Sequence, residues 1–257
     1  MKAIIIAAGM GKRLMPYTKD RPKCMLEIGK KPLIKHQADI LISLGIKEIH
    51  VIKGYKQAAL DIFKLDFNYY VNENYQNNNI LESLFYAEPE INGQVIILYS
   101  DIIFNKKVVE KLLESKEEIS IVADVDWEKN YIGRRDHPIA EAESVILDGK
   151  GYVQKIGKTL GVDKDLISGE FIGMLMLRGN GANTLKRFYH ESRKKCQGGP
   201  FQKAVTFSKA YITDIIQELV DCSVKVNCVK IHNGWKEIDT MEDFKNAVAL
   251  YKDMKFG

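Results

Sequence analysis

The chain opens on an unbroken apolar run, Ala3-Ile4-Ile5-Ile6-Ala7-Ala8, that meets Gly9 at once. A strand with one wet face alternates apolar and polar residues. A continuous β-branched run instead suits a strand covered on both faces, as in a parallel sheet. The following pattern agrees. Residues 33–44 carry apolar side chains at Leu33, Ile34, Ile40, Leu41 and Leu44 and stop at Gly45, which predicts a helix. Strands are predicted over 48–52, 68–71 and 95–98, with helices over 58–64 and 80–87. This βαβα order predicts an α/β fold whose central sheet is mixed and mainly parallel, with right-handed crossovers and flanking helices.

The second half mixes its signals. Strands are predicted over 119–125, 152–156, 173–177 and 225–230, and helices over 182–194, 211–221 and 241–254. The last helix has Thr240 as N-cap and Asp243 at its third position. Residues 127–151 are polar and weakly periodic and read as an excursion from the sheet. Residues 1–257 contain no internal repeat, low-complexity tract or linker and are expected to form one domain. In open α/β sheets the ligand sits outside the carboxyl ends of the strands, so the residues just after each strand are the ones to inspect.

Charge excludes some partners. Lys plus Arg number 38 against 34 Asp plus Glu, and they are scattered, so the basic stripe of a nucleic-acid binder is absent. No apolar run is long enough to cross a membrane or to serve as a secretory signal. The 4 cysteines form no CxxC pair and no metal-ligand spacing with histidine, which suits a reducing, cytoplasmic setting.

The richest segment follows the first strand: Ala7-Ala8-Gly9-Met10-Gly11-Lys12-Arg13-Leu14, then Pro16, Thr18 and Arg21-Pro22-Lys23. Glycines directly after a strand let backbone amides approach a phosphate. Arg13 and Lys23 add full positive charge, and loops this long in compact domains are usually functional. A dinucleotide fingerprint fits poorly, because its third glycine position is Leu14 and the second strand runs into Lys53 without a carboxylate. A P-loop fits worse, because Gly11-Lys12 is followed by Arg13.

This motif resembles the signature of the nucleoside-diphosphate-sugar pyrophosphorylase superfamily, the nucleotidyltransferases, and the resemblance implies a Rossmann-like nucleotidyltransferase fold. It implies that Ala8, Gly9 and Gly11 wrap a nucleoside triphosphate, and that Arg13 and Lys23 are catalytic, on the phosphates around the α-phosphorus. Asp101, in Tyr99-Ser100-Asp101, and Asp239, in Glu237-Ile238-Asp239-Thr240, match the family's two metal carboxylates, with Ser100 beside the nucleotide. Two carboxylates at the mouth of one sheet suit Mg²⁺, a hard cation that takes one or two carboxylates plus phosphate oxygens.

Residues 72–84, Asn72-Glu73-Asn74-Tyr75-Gln76-Asn77-Asn78-Asn79-Ile80-Leu81-Glu82-Ser83-Leu84, look like the corresponding stretch of phosphocholine-type cytidylyltransferases. Asn72 and Asn79 are therefore expected at the base, since amides can pair with the donor and acceptor edge of a pyrimidine. Asn79 with Glu82 equally fits a helix cap. Segments around Trp127, 155–158, 169–173 and 211–214 extend the resemblance to that branch. They imply that Lys155, Lys158, Glu170 and Trp127 bind the acceptor. The expected activity is transfer of CMP from CTP to a small phosphate or phosphonate monoester, of phosphocholine, aminoethylphosphonate or phospho-amino-acid-amide type, with release of pyrophosphate. A homodimer is the assembly to test. The alternatives are a sugar-1-phosphate nucleotidyltransferase using UTP or dTTP, and a non-catalytic nucleotide-sensing subunit.

Overall fold

The computed structural model describes residues 1–61 and 66–253. In chain order, β1 (Lys2–Ala7) leads through a loop with two short 3-10 turns to the hairpin β2 (Glu27–Ile28) and β3 (Lys31–Pro32). Then come α1 (Leu33–Ser43), β4 (Glu48–Lys53), α2 (Ala58–Asp61), β5 (Asn68–Val71), α3 (Ile80–Leu84) and β6 (Val95–Tyr99). The second half holds β7 (Ile102–Phe104), α4 (Lys106–Glu114), β8 (Ile119–Asp124), β9 (Ser144–Leu147), β10 (Val153–Gly157) and β11 (Gly169–Leu177). It ends with α5 (Gly181–Cys196), α6 (Ile212–Asp221), β12 (Asn227–Ile231), β13 (Trp235–Glu237) and α7 (Met241–Asp253). The ends of the helices expected over 58–64 and 241–254 fall outside the described residues.

The fold is α/β with a mixed central sheet. β5, β4, β1 and β6 are mutually parallel neighbours in that order. Beyond β6 the antiparallel β11 branches, pairing with β9 at its start and with β8 along its length, while β12 lies parallel to β8. The apolar run of β1 now has its cause. Ile4 and Ile6 pack in one core with α3, α5 and α6, and Ala3, Ile5 and Ala7 pack in another with α1 and α4. Successive side chains point to opposite faces, so a strand buried on both must be apolar throughout.

The structure differs from the sequence reading in several places. α4 was not expected, although Asn105 precedes it and Val108, Val109 and Leu112 form its buried stripe. The excursion over 127–151 contains β9, whose four residues are too few to show a period. β11 begins at Gly169, not Gly173, because a bulge interrupts it between Phe171 and Leu175. At the bulge Gly173 has φ +77°, and a Cβ there would lie 2.5 Å from Tyr99 Cδ2, so only glycine leaves room for the tyrosine ring.

Registry sets the site. Ile6 of β1 stands opposite Tyr99 of β6, so the loop from Gly9 and the carboxylate of Asp101 leave adjacent strand ends together. β7 and β13 form a separate antiparallel ribbon with Ile102 opposite Glu237, and Ile238 N donates to Asp101 O at 2.8 Å. That ribbon carries Asp239 alongside Asp101. Its outer end is anchored by Trp235 Nε1, which donates to the buried Asp124 Oδ2 at 2.9 Å. The expected cap of α7 is present: Asp243 N donates to Thr240 Oγ1 at 3.2 Å, and Thr240 N donates to Asp243 Oδ2 at 2.8 Å. All four cysteines are free thiols, and no helix among the described residues is long and apolar enough to cross a membrane.

Candidate active site

Two cavities meet over the carboxyl ends of β1 and β6. The first, of 310 Å³, is lined by Ala8, Gly9, Gly11, Lys23, Asn79 and Ser100 among others. The second, of 210 Å³, is lined by His137, Glu141, Glu143, Lys158, Glu170 and Glu237 among others. Arg13, Asp101 and Asp239 border both, so the wall the cavities share is charged.

The loop is pinned by its own motif residues. Gly11 has φ +58°, and a Cβ there would lie 3.1 Å from Lys23 Cβ and 3.2 Å from Thr18 Cγ2. Thr18 is fully buried and donates from Oγ1 to Gly11 O at 2.9 Å, and Tyr55 OH donates to Thr18 O at 3.0 Å. This folds Lys23 back under the glycines.

Lys23 Nζ sits between the two carboxylates, 2.8 Å from Asp101 Oδ2 and 2.7 Å from Asp239 Oδ1. Arg13 pairs with the other oxygen of Asp239. Burial works against charge on both Lys23 and Asp239, but their attraction overcomes it. The ammonium is held above its ordinary range, and Lys23 and Arg13 hold the Asp239 carboxyl well below its own. Asp101 Oδ1 is buried without a hydrogen-bond partner among the described residues. A sealed carboxylate oxygen is costly unless something positive reaches it. Hard oxygen donors, one of them orphaned, around a point already occupied by a cation fit a divalent metal.

The second cavity is rich in carboxyl groups short of counter-charge. Burial, reinforced for Glu237 by Asp239 and Asp101, pushes Glu143 and Glu170 up to about 8 and Glu237 to about 7. Glu143 has only long contacts, 3.4 Å from Tyr99 OH and 3.4 Å from Thr213 Oγ1. Glu170 Oε1 accepts from Tyr131 OH, and its Oε2 is buried and has no hydrogen-bond partner among the described residues. The cations here are Lys158, 3.1 Å from Glu141 Oε2 and 5.0 Å from the centre of the Tyr211 ring, and Arg13 at the shared wall.

A carboxyl raised in the folded state binds its proton more tightly there than in the unfolded chain. Its contribution to stability is full below the unfolded value and is lost as pH rises through about 8. Glu143→Gln removes that titration. It is expected to melt progressively higher than the parent protein as pH rises from 5 to 8. Parallel melting curves across that range would show that Glu143 is ionised in the fold.

The structure brings together Ala8, Gly9, Gly11, Arg13, Lys23, Asn79, Ser100, Asp101 and Asp239, and on the second side Lys158 and Glu170. Three expected residues line neither cavity. Asn72 is fully buried and spends its amide on Asn78 and Ser83, donating to Asn78 Oδ1 at 2.9 Å and Ser83 Oγ at 2.8 Å. It braces two cavity residues from behind. Lys155 points outward from β10 and is exposed. Trp127 packs against Tyr131 and Ala142 in a small apolar cluster, because its ring is better covered there than at a wet cavity. Asn79 caps α3 by accepting from Ile80 N at 2.8 Å, and it lines both cavities.

Sequence reasoning missed His137, Arg134 and the wall role of Glu237. Arg134 donates to Asp243 from Nε at 2.7 Å and to Glu237 from Nη2 at 3.0 Å. Burial and the neighbouring Arg134 push the His137 imidazole down to about 4. For His137 and Arg134 the one sequence signal was a cluster of charged residues in the excursion, which looks like solvated surface, whereas Glu237 stands in the motif that carries Asp239.

The profile of the MobA-like NTP transferase domain matches residues 3–157. A Campylobacter jejuni protein named CTP:phosphoglutamine cytidylyltransferase is 33% identical over 95% of this chain and 98% of its own length. A UTP–glucose-1-phosphate uridylyltransferase from Haloferax volcanii is 32% identical over 50% of this chain and 56% of its own length. The structure of the CTP:phosphocholine cytidylyltransferase from Streptococcus pneumoniae superposes with a TM-score of 0.73, covering 97% of this chain and 98% of that one at 19% identity, which is a likeness of fold.

Proposed function

The chain belongs to the MobA-like NTP transferase family, and on that premise we propose that it is a cytidylyltransferase moving CMP from CTP to a small phosphate or phosphonate monoester that carries a cationic group. The observation that carries the reading is the pair of cavities sharing Arg13, Asp101 and Asp239. Nucleotide and acceptor can then meet at one charged wall. The name of the full-length relative from Campylobacter jejuni supports both CTP and a phosphorylated amino-acid amide.

In the reaction an acceptor oxygen attacks the α-phosphorus of CTP. The new P–O bond forms as the bond to the β-phosphate oxygen breaks, and pyrophosphate leaves with that electron pair. Two anions must be brought together, so the work of the protein is alignment and neutralisation. The Gly9–Gly11 segment offers backbone amides to the triphosphate. Lys23 has three N–H donors and spends two on Asp101 and Asp239, which leaves one for a phosphate oxygen. Arg13 reaches both cavities and keeps donors to spare. Asp101 and Asp239 would hold Mg²⁺, which when bound supplies Lewis-acid charge to the phosphates. No protein nucleophile is needed. Cys24 lines the first cavity, but burial pushes its thiol up to about 12, so it stays protonated.

On the acceptor side Lys158 is the cation suited to the acceptor phosphate. Glu143 and Glu170 lack a paired cation, and an ammonium on the acceptor would supply one. Such an acceptor displaces protons from these carboxyls, so its affinity is expected to rise between pH 6 and 8.

Pyrophosphate release across four NTPs, against phosphocholine, 2-aminoethylphosphonate, phosphorylated amino-acid amides and sugar 1-phosphates, tests the reading. The expected result is CTP with an amine-bearing acceptor. UTP or dTTP with glucose 1-phosphate would overturn the branch, and no release with any pair would overturn the reaction class.

A further inference from the structure

His137 has no task in the scheme above. It is 3% exposed and lines the acceptor cavity with Arg13, Asp101 and Asp239. Its Nδ1 lies 3.0 Å from Arg134 Nη2 and 3.5 Å from both Glu237 Oε2 and Asp239 Oδ2. Arg134 is fixed independently of the histidine. Its Nε and Nη2 grip Asp243 at 2.7 and 2.9 Å, and its guanidinium lies 5.2 Å from the centre of the Tyr131 ring. Asp243 also accepts from Asp239 N at 3.1 Å, so one carboxylate ties the guanidinium to the backbone of a site residue.

A guanidinium has only donors. Nη2 shares two hydrogens among Asp243, Glu237 and His137, and however they are shared, the guanidinium charge 3.0 Å away favours a lone pair over a proton on Nδ1. The carboxylates at 3.5 Å are too far to reverse this preference. The ring hydrogen therefore belongs on Nε2, which makes no hydrogen bond among the described residues. In the neutral and the charged ring alike, Nε2 is a donor.

We propose that His137 contacts the substrate directly. Its Nε2–H, set by Arg134, donates to an oxygen of the acceptor's phosphate or phosphonate group and holds that group beside Arg13, Asp101 and Asp239. No proton is transferred to or from the ring in the step. The inference rests on the nucleotidyl-transfer reading, but its first test does not.

Long-range ¹⁵N–¹H spectra of the ring nitrogens report the tautomer without turnover. The chain has 5 histidines, and His137→Gln identifies the missing signal. An Nε2–H tautomer in the free protein is expected, and an Nδ1–H tautomer would overturn the proposal. The second test is kinetic, with CTP and phosphocholine or 2-aminoethylphosphonate. A glutamine amide reaches the Nε2 position, whereas an asparagine amide reaches only Nδ1. His137→Asn is expected to lower kcat/KM for the acceptor about 10- to 100-fold, the worth of a hydrogen bond to a charged group. KM for CTP should be unchanged, and His137→Gln should stay within several-fold of the parent protein. Equal losses in the two variants, with matched melting temperatures, would make His137 structural. If the parent protein releases no pyrophosphate at all, the functional reading fails while the tautomer still reports on Arg134 and His137.

Discussion

Asp101→Asn and Asp239→Asn are each expected to lower turnover by about 10³-fold, the several kcal/mol that a metal-held charge contributes to phosphoryl chemistry, while leaving the fold in place. Asparagine keeps the volume and loses the charge. In Asp101→Asn, Lys23 still has Asp239 at 2.7 Å, so no buried cation is stranded. In Asp239→Asn, Lys23 keeps Asp101 at 2.8 Å, and the half-exposed Arg13 is taken over by water. Asp239→Asn should also shift the melt. The Asp239 carboxyl is held below its ordinary range, so its ionised form contributes stability that is present above its unfolded value and lost as pH falls. Asp239→Asn should therefore melt below the parent protein at pH 7, by about 2–4 °C per kcal/mol, and the gap should close on acidification below about pH 4. Pyrophosphate release measured over a Mg²⁺ titration checks the first claim. Near-normal rates in both variants at limiting Mg²⁺ would remove these carboxylates from the metal site.

What was readable in advance follows from how each residue is held. The Gly9–Lys23 loop was legible because glycine, threonine and lysine occur in an order that only a folded-back loop requires: Gly11 must lack a Cβ, and Thr18 must reach Gly11 O. β1 was legible because burial on both faces leaves no polar position. Asp101 and Asp239 were placed by motif, but what makes them neighbours is the ribbon of β7 and β13, two strands of three residues each. Strands that short carry no periodicity. His137 and Arg134 were invisible for the opposite reason. Their segment is polar, and sequence cannot tell a buried ion network from a solvated face. Asn72 shows the remaining limit. An amide that reads a base and an amide that braces Asn78 and Ser83 need the same residue, and only packing separates them.

Lys23→Ala is expected to lower turnover by about 10²–10³-fold, the usual worth of a fixed positive group on a developing oxyanion, and also to cost stability. Removing the ammonium leaves Asp101 and Asp239 facing each other, with Arg13 on Asp239 and Asp101 Oδ1 already without a hydrogen-bond partner among the described residues. Breaking a buried charge cluster by deleting one member is destabilising, although water at the cavity mouth softens the effect. The two losses have different remedies. Mg²⁺ can neutralise the two carboxylates, so added Mg²⁺ should raise the melting temperature of Lys23→Ala more than that of the parent protein. It cannot replace an N–H donor aimed at a phosphate oxygen, so the rate should stay low when the melt has recovered. Thermal melts and pyrophosphate release on the same samples, at saturating Mg²⁺ and well below the melting temperature, separate the cases. Recovery of both together would mean that Lys23 only keeps the carboxylates from repelling each other. Recovery of the melt alone would leave its third N–H acting on the transferred phosphate.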